Sequence, residues 1–322
     1  MKRVTFIGAL IVLSLATLGA GCNRNAIDAV NLTNEADQEK STNLDGAISK
    51  YDQAANLDPD NHRILWKLAQ AYAKKEAWDK VASTCSRAKK IAPDFANFFF
   101  LHGYALSQLA SKGSVAYNDA KVPLEESIRL DPNGPNYPAA NNEWDAKNAG
   151  AAHFELAEVL LHLDKEADAL KYYTQAIYVK PDTLNFYPVL AKLYLDLNHT
   201  AEAEQVLNQA IGFAKDGDKS LFNVHTLLGE VAGRRHDLTR AASEYELARK
   251  ACGQCNEAGQ QIAFFNLGAV YATQTPPKKS EAMSQLQSFH KMICKGAAAQ
   301  RYADQCATAQ QLATKLGGTL QP

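Results

Sequence analysis

The chain has 322 residues, with 34 Lys and Arg set against 35 Asp and Glu and a formal net charge of −1. That balance, with no long basic block, excludes nucleic acid as the main ligand, because neutralising a phosphate backbone takes clustered Lys and Arg. Alanine, leucine, lysine and glutamine abound while β-branched runs are scarce, which predicts an all-α chain. The first element is a leader over residues 1–21. Lys2 and Arg3 precede an apolar run of 15 residues from Val4 to Leu18, too short to span a bilayer comfortably. A weak helix follows from Asn25 to Lys40, carrying Ile27, Val30 and Ala36. A firmer one runs from Leu44 to Leu57, with Ala47, Tyr51 and Ala54 ahead of Pro59.

The stretch His62 to Pro93 holds the clearest pattern. Leu65, Leu68, Ala69 and Tyr72 fall at i, i+3, i+4 and i+7, one face of a first helix. Trp78, Val81, Cys85 and Ala88 form the inner face of a second, which Pro93 stops, 34 residues after Pro59. This unit resembles a tetratricopeptide repeat, whose W-x2-L-G-x2-Y…A-x3-F…P pattern is met by Leu65, Leu68, Ala69, Tyr72, Val81, Cys85, Ala88 and Pro93. The third copy places Phe99, Gly103 and Leu106, then Tyr117, Ala120, Leu124 and Ser127 before Pro132. Pro123 either kinks its second helix or marks that helix's first position. Residues 133–142 are an insertion, after which Asn142, Glu143 and Asp145 read as an N-cap and acidic first turn that lengthen the next helix. Tyr137 and Trp144 are expected to pack against the neighbouring repeats. Later copies carry Leu156, Ala157, Leu160, Ala169, Tyr173 and Ala176; Tyr187, Leu190, Ala191, Tyr194, Ala203, Leu207 and Ala210; Leu228, Gly229, Ala232, Ala241, Tyr245 and Ala248; and Phe264, Leu267, Gly268, Tyr271, Ala282, Leu286 and Phe289.

The resemblance implies an α-solenoid: a right-handed superhelix of antiparallel helix pairs, about seven repeats over residues 22–292. Residues 293–322 form a polar, Gln-rich capping helix and tail. The degenerate first helix serves as the opposite cap. One hairpin cannot bury both its faces, so such arrays are stable only through stacked neighbours.

The leader ends in Leu18-Gly19-Ala20-Gly21-Cys22, which is similar to the lipobox of bacterial lipoproteins, although the usual large aliphatic residue sits one place nearer the cysteine. The resemblance implies diacylglyceryl and N-acyl lipid on Cys22, sufficient for stable anchoring without a membrane span. Asn23 in place of Asp then favours the outer membrane, facing the periplasm. Ordinary cleavage after Ala20 is the alternative and would leave Cys22 a plain thiol.

No H-E-x-x-H, Walker A, G-x-S-x-G or G-x-G-x-x-G pattern is present, so no enzyme, metal site or other cofactor is expected. His102, His153, His162, His199, His225 and His236 are dispersed, and Asp164/Glu166 and Glu244/Glu246 read as solvated helix surface. Cys85 occupies a core position. Cys252, Cys255, Cys294 and Cys306 lie in the last quarter of the chain. Cys252 stands at a helix C-terminus, where the dipole opposes a thiolate, which disfavours redox chemistry. Two structural disulfides are expected, with three connectivities open; a four-cysteine zinc site lacks a second short-spaced pair.

Counting from the repeat register, the first-helix positions that face the groove are Arg63, Trp66, Gln70 and Lys74, then Asn97, Phe100, Tyr104 and Gln108, then Phe154, Glu158 and His162. Lys192, Asp196, Asn223, Glu230 and Arg234 continue the row. Trp66, Phe100, Tyr104 and Phe154 together predict an exposed apolar strip for a protein or peptide segment, with Arg63, Lys74 and Glu158 at its rim. The Lys/Asn pattern of carboxylate-clamp repeats is absent. The resemblance extends to pilotins and other repeat-bearing outer-membrane lipoproteins. It implies a non-enzymatic scaffold that assembles or retains an envelope complex of pilus, secretion or cell-wall machinery. A regulatory subunit of a periplasmic enzyme, such as a peptidoglycan hydrolase, and a thiol-redox or metal-binding protein are the alternatives. The oligomeric state is not encoded in the pattern.

Overall fold

The structure, a computed structural model, describes residues 24–133, 150–215, 217–295 and 298–321. The leader, Cys22, Tyr137 and the Asn142–Asp145 cap therefore lie outside the described residues. Within them the chain is all-α, with fifteen helices and no strand. It divides into two compact units, Met1–Pro93 and Asp94–Pro322.

The N-terminal unit holds α1 (Arg24–Glu39), α2 (Leu44–Leu57), α3 (His62–Lys74) and α4 (Trp78–Ile91). α1 contacts α2, α2 contacts α3, and α3 contacts α4. Although α1 buries little beyond Ala29, Thr33 and Ala36, it is tied down by Asp37. The Tyr51 hydroxyl donates to Asp37 Oδ1 at 2.6 Å, and the Lys67 ammonium reaches the other oxygen. Partial burial raises the Asp37 pKa, but bonds from Lys67, Tyr51 and Lys40 outweigh it and hold the carboxyl below its usual range. Cys85 is wholly buried in α4, and burial pushes its thiol up to about 12, which leaves it inert.

The C-terminal unit holds α5 (Ala96–Ser111), α6 (Tyr117–Leu130), α7 (Ala151–Leu161), α8 (Glu166–Val179), α9 (Phe186–Asp196), α10 (Thr200–Phe213), α11 (Leu221–Arg234) and α12 (Leu238–Cys252). It closes with α13 (Ile262–Thr273), α14 (Lys279–Ile293) and α15 (Ala303–Lys315). Each helix packs on the next, so the core is a chain of overlapping clusters rather than one centre. Leu124, Leu156, Leu160 and Tyr173 make the first, Tyr187, Leu207, Val224 and Leu228 the next, and Phe264, Phe289 and Ile293 the last. Pro123 sits well inside α6 and is buried there, so it does not mark the start of that helix. No helix among the described residues is long and apolar enough to cross a membrane.

The turn within each of five helix pairs is built alike. Glu76, Gly113, Asp164, Asn198 and His236 each take a left-handed conformation, with φ of 57°, 73°, 55°, 62° and 60°. The next residue's N–H then bonds the carbonyl five back, as in Ser114 to Leu109 at 3.0 Å and Asp237 to Ala232 at 2.9 Å. This closure satisfies the last carbonyls of one helix and turns the chain sharply into its partner.

Of the three connectivities open to the four late cysteines, the structure holds Cys252–Cys255 and Cys294–Cys306. The second bridge ties the end of α14 to α15, whose Ala309 and Ala313 are buried in the last cluster. The tail is fastened too, because the Gln287 amide both donates to Gln321 O (3.0 Å) and accepts from Gln321 N (2.7 Å).

Candidate functional site

α7, α9 and α11 are the first helices of three consecutive pairs in the C-terminal unit, and a cavity of about 390 Å³ opens between them. From α9 come Pro188 and Val189, Lys192 and Leu193, and Asp196, a stripe at i, i+4 and i+8. α7 supplies Glu158 and Leu161, α8 supplies Tyr173, and α11 supplies Asn223, Thr226 and Leu227. The walls are aliphatic, and the polar groups sit at fixed points around them.

The charges are arranged unevenly. Lys192 pairs with Asp196 on the same helix. Glu158 accepts a hydrogen bond from the Tyr173 phenol. Burial, and then that carboxylate, push the Tyr173 pKa far above the ordinary phenol range. One turn earlier on α7, burial drives the Glu155 carboxyl up to about 7; a bond from Ser107 works against this and the neighbouring Glu158 charge adds to it. Further along the row Arg234 binds Glu230 at 2.7 Å and donates to the Leu195 carbonyl at 2.6 Å.

The structure thus brings Glu158, Lys192, Asp196 and Asn223 together, and it corrects several of their expected companions. Trp66 is 5 % exposed and Phe100 6 %, so neither belongs to an open apolar strip. The reason is that first helices are covered on two sides. α3 also buries Ile64, Leu65, Leu68, Ala69 and Ala71, and Phe100 joins the cluster around Leu124 and Leu156. Asn97 is wholly buried, with no partner for its amide among the described residues. Tyr104 and Gln108 are half-buried. Phe154 is half-buried, stacked on Phe186 at 4.8 Å and set edge-on to Tyr173 at 5.2 Å, which makes it packing rather than free surface. His162 is exposed and stacks on Tyr117 at 4.1 Å. In the N-terminal unit Arg63 is exposed. Gln70 and Lys74 line a separate cavity of about 220 Å³ with Lys40, Tyr51 and Lys67.

Glu244 is a further correction. It is not solvated surface, since its carboxylate lies 2.8 Å from His225 Nδ1 and both side chains are largely buried. Among the described residues no three or more His, Cys, Asp or Glu side chains converge as a metal site.

Leu161, Tyr173, Pro188, Val189, Leu193, Thr226 and Leu227 also line the cavity, although the expected row, which takes about one position per turn of each first helix, omits them. Pro188, Val189 and Leu193 flank Lys192 on the same stripe, and that adjacency was the available signal.

Family comparisons agree with this architecture. A TPR repeat model matches residues 42–76, and a tetratricopeptide repeat model matches residues 150–183 and 185–216. Among solved structures, the C-terminal part of a TPR repeat-containing protein of Cytophaga hutchinsonii superposes with a TM-score of 0.59 at 13% identity, covering 85% of this chain and 98% of that one. PilW, a widely conserved type IV pilus biogenesis factor, gives 0.54 at 14% identity over 73% of this chain and 97% of its own. PilF of Pseudomonas aeruginosa gives 0.51 at 15% identity, over 70% and 93%. At these identities the likeness concerns the fold alone. With its stacked helix pairs and three matched repeats, this chain carries tetratricopeptide repeats and has the fold of a protein-interaction scaffold.

Proposed function

We propose that the chain is a non-enzymatic scaffold, held at the cell envelope by lipid on Cys22, that seats a segment of a partner protein in the α7–α9–α11 cavity while an envelope complex is assembled or retained. The observation that carries this reading is the cavity itself. Its aliphatic walls are open between three rigid helices, and its polar groups are fixed by intramolecular bonds, as suits a preformed binding site. The leader and Cys22 support an outer-membrane anchor facing the periplasm. Two disulfides fit an oxidising compartment. The part that PilW plays in pilus biogenesis makes pilus machinery the first process to examine.

A photo-crosslinking residue at Asn223 tests the binding surface in intact cells. One dominant adduct, absent when the crosslinker sits instead at Lys171 on the second helix α8, is the expected result; equal adducts from both positions overturn the groove. Mass spectrometry of the mature N-terminus tests the anchor separately, since an unmodified chain beginning at Gly21 removes the lipid and leaves the scaffold.

A further inference from the structure

Glu158 faces the cavity without a cation. Its carboxylate accepts from the neutral Tyr173 phenol, and no lysine or arginine among the described residues pairs with it. A second carboxyl, Glu155, lies three residues away on α7, where the neutral Ser107 hydroxyl bonds it. The cavity's own lysine, Lys192, is already engaged by Asp196. A half-buried carboxylate among Leu161, Val189, Leu193 and Leu227 is poorly served by water, and an acidic neighbour adds repulsion. What the site lacks is a positive charge delivered on an apolar stem.

We propose that the α7–α9–α11 cavity selects a lysine or arginine side chain of the partner, with its ammonium or guanidinium at Glu158 and its methylene stem against Val189, Leu193 and Leu227. The shape suits this, because long basic side chains place aliphatic carbons on apolar surface and the charge beyond them. Tyr173 holds the carboxylate in place, so little ordering is left to be done on binding. Lys192 repels a cation displaced toward Asp196, which favours the Glu158 end of the cavity. This inference rests on the scaffold reading, and it adds the chemistry of the segment that the scaffold takes.

The test is selection of a phage-displayed random heptapeptide library on the full mature chain, followed by anisotropy titration of the enriched peptides. The expected result is a Lys or Arg flanked by apolar residues. Replacing that basic residue with norleucine, or Glu158 with Gln, should weaken binding on the order of tenfold, the scale of a charge-assisted hydrogen bond. Glutamine can still accept from Tyr173, and circular dichroism confirms that the variant is folded. Enriched peptides that lack a basic residue, or that ignore Glu158→Gln yet fail with Val189→Ser, overturn the cation site and leave the groove standing. Peptides indifferent to both changes, or no enrichment at all, overturn the groove and the cation site together.

Discussion

Gly229 and Tyr245 approach so closely that a Cβ on the glycine would lie 2.5 Å from the tyrosine Cε1. The glycine is on α11 and the ring on α12, so the contact sets how near the two helices of that pair can come. Tyr245 is 8 % exposed and cannot swing into solvent without uncovering its neighbours. Gly229→Ala should therefore lower stability by about 1–3 kcal/mol, as overpacking does, despite alanine's better helix propensity. Urea denaturation checks this; an unchanged or raised midpoint would show that the ring yields freely.

The left-handed turn residues offer a change of opposite sign. His236 holds φ at 60° and is exposed. A side chain there costs roughly 1–2 kcal/mol, more than the roughly 0.5–1 kcal/mol of extra chain entropy that glycine loses on folding. His236→Gly should stabilise by about 0.5–1 kcal/mol. Gly113→Ala, at the equivalent turn, should destabilise by about 1 kcal/mol by the same reasoning. Thermal melts of both variants decide it, and shifts of the same sign would sink the account.

These two sites show what the sequence could and could not reveal. The 34-residue spacing of Pro59 and Pro93 and the small residues at Ala69, Ala157, Ala191 and Gly229 follow from helix geometry alone, so the repeat was legible from local pattern. Exposure was not. Whether Trp66 or Phe100 meets solvent depends on how much of a first helix its neighbours cover, a property of the stacked array rather than of one helix. The cavity was half legible for the same reason. Glu158, Lys192, Asp196 and Asn223 follow from register, whereas Tyr173 enters from a second helix through its bond to Glu158.

The Cys294–Cys306 bridge spans 12 residues and joins α15 to the array. Closing a loop of that size contributes about 2–3 kcal/mol in the chain-entropy account. In a quasi-one-dimensional fold the loss should stay local. With both cysteines replaced by Ala, amide exchange should quicken across Ala303–Lys315 and hold steady in α5 to α10. Uniform quickening along the chain would mean that the C-terminal unit melts as one body.

Glu155 gives the C-terminal unit a stability that depends on pH. Its carboxyl is raised from 4.5 to about 7, so the folded chain holds a proton where the unfolded chain has released it. The stabilisation from this group is therefore complete below about pH 4.5 and is lost as pH rises through about 7, with a slope of at most about 1.4 kcal/mol per pH unit. His153 works the other way, because burial lowers its pKa and stability rises as it sheds its proton. Comparing the native chain with Glu155→Gln cancels the histidine and isolates the carboxyl. The variant should lack the decline between the unfolded value of 4.5 and the folded value of about 7, and should be the more stable of the two above that window, where the native chain carries a partly buried charge beside Glu158. Urea midpoints measured across that range check the sign. Parallel curves for the two proteins would show that Glu155 ionises in the folded chain as it does in the unfolded one.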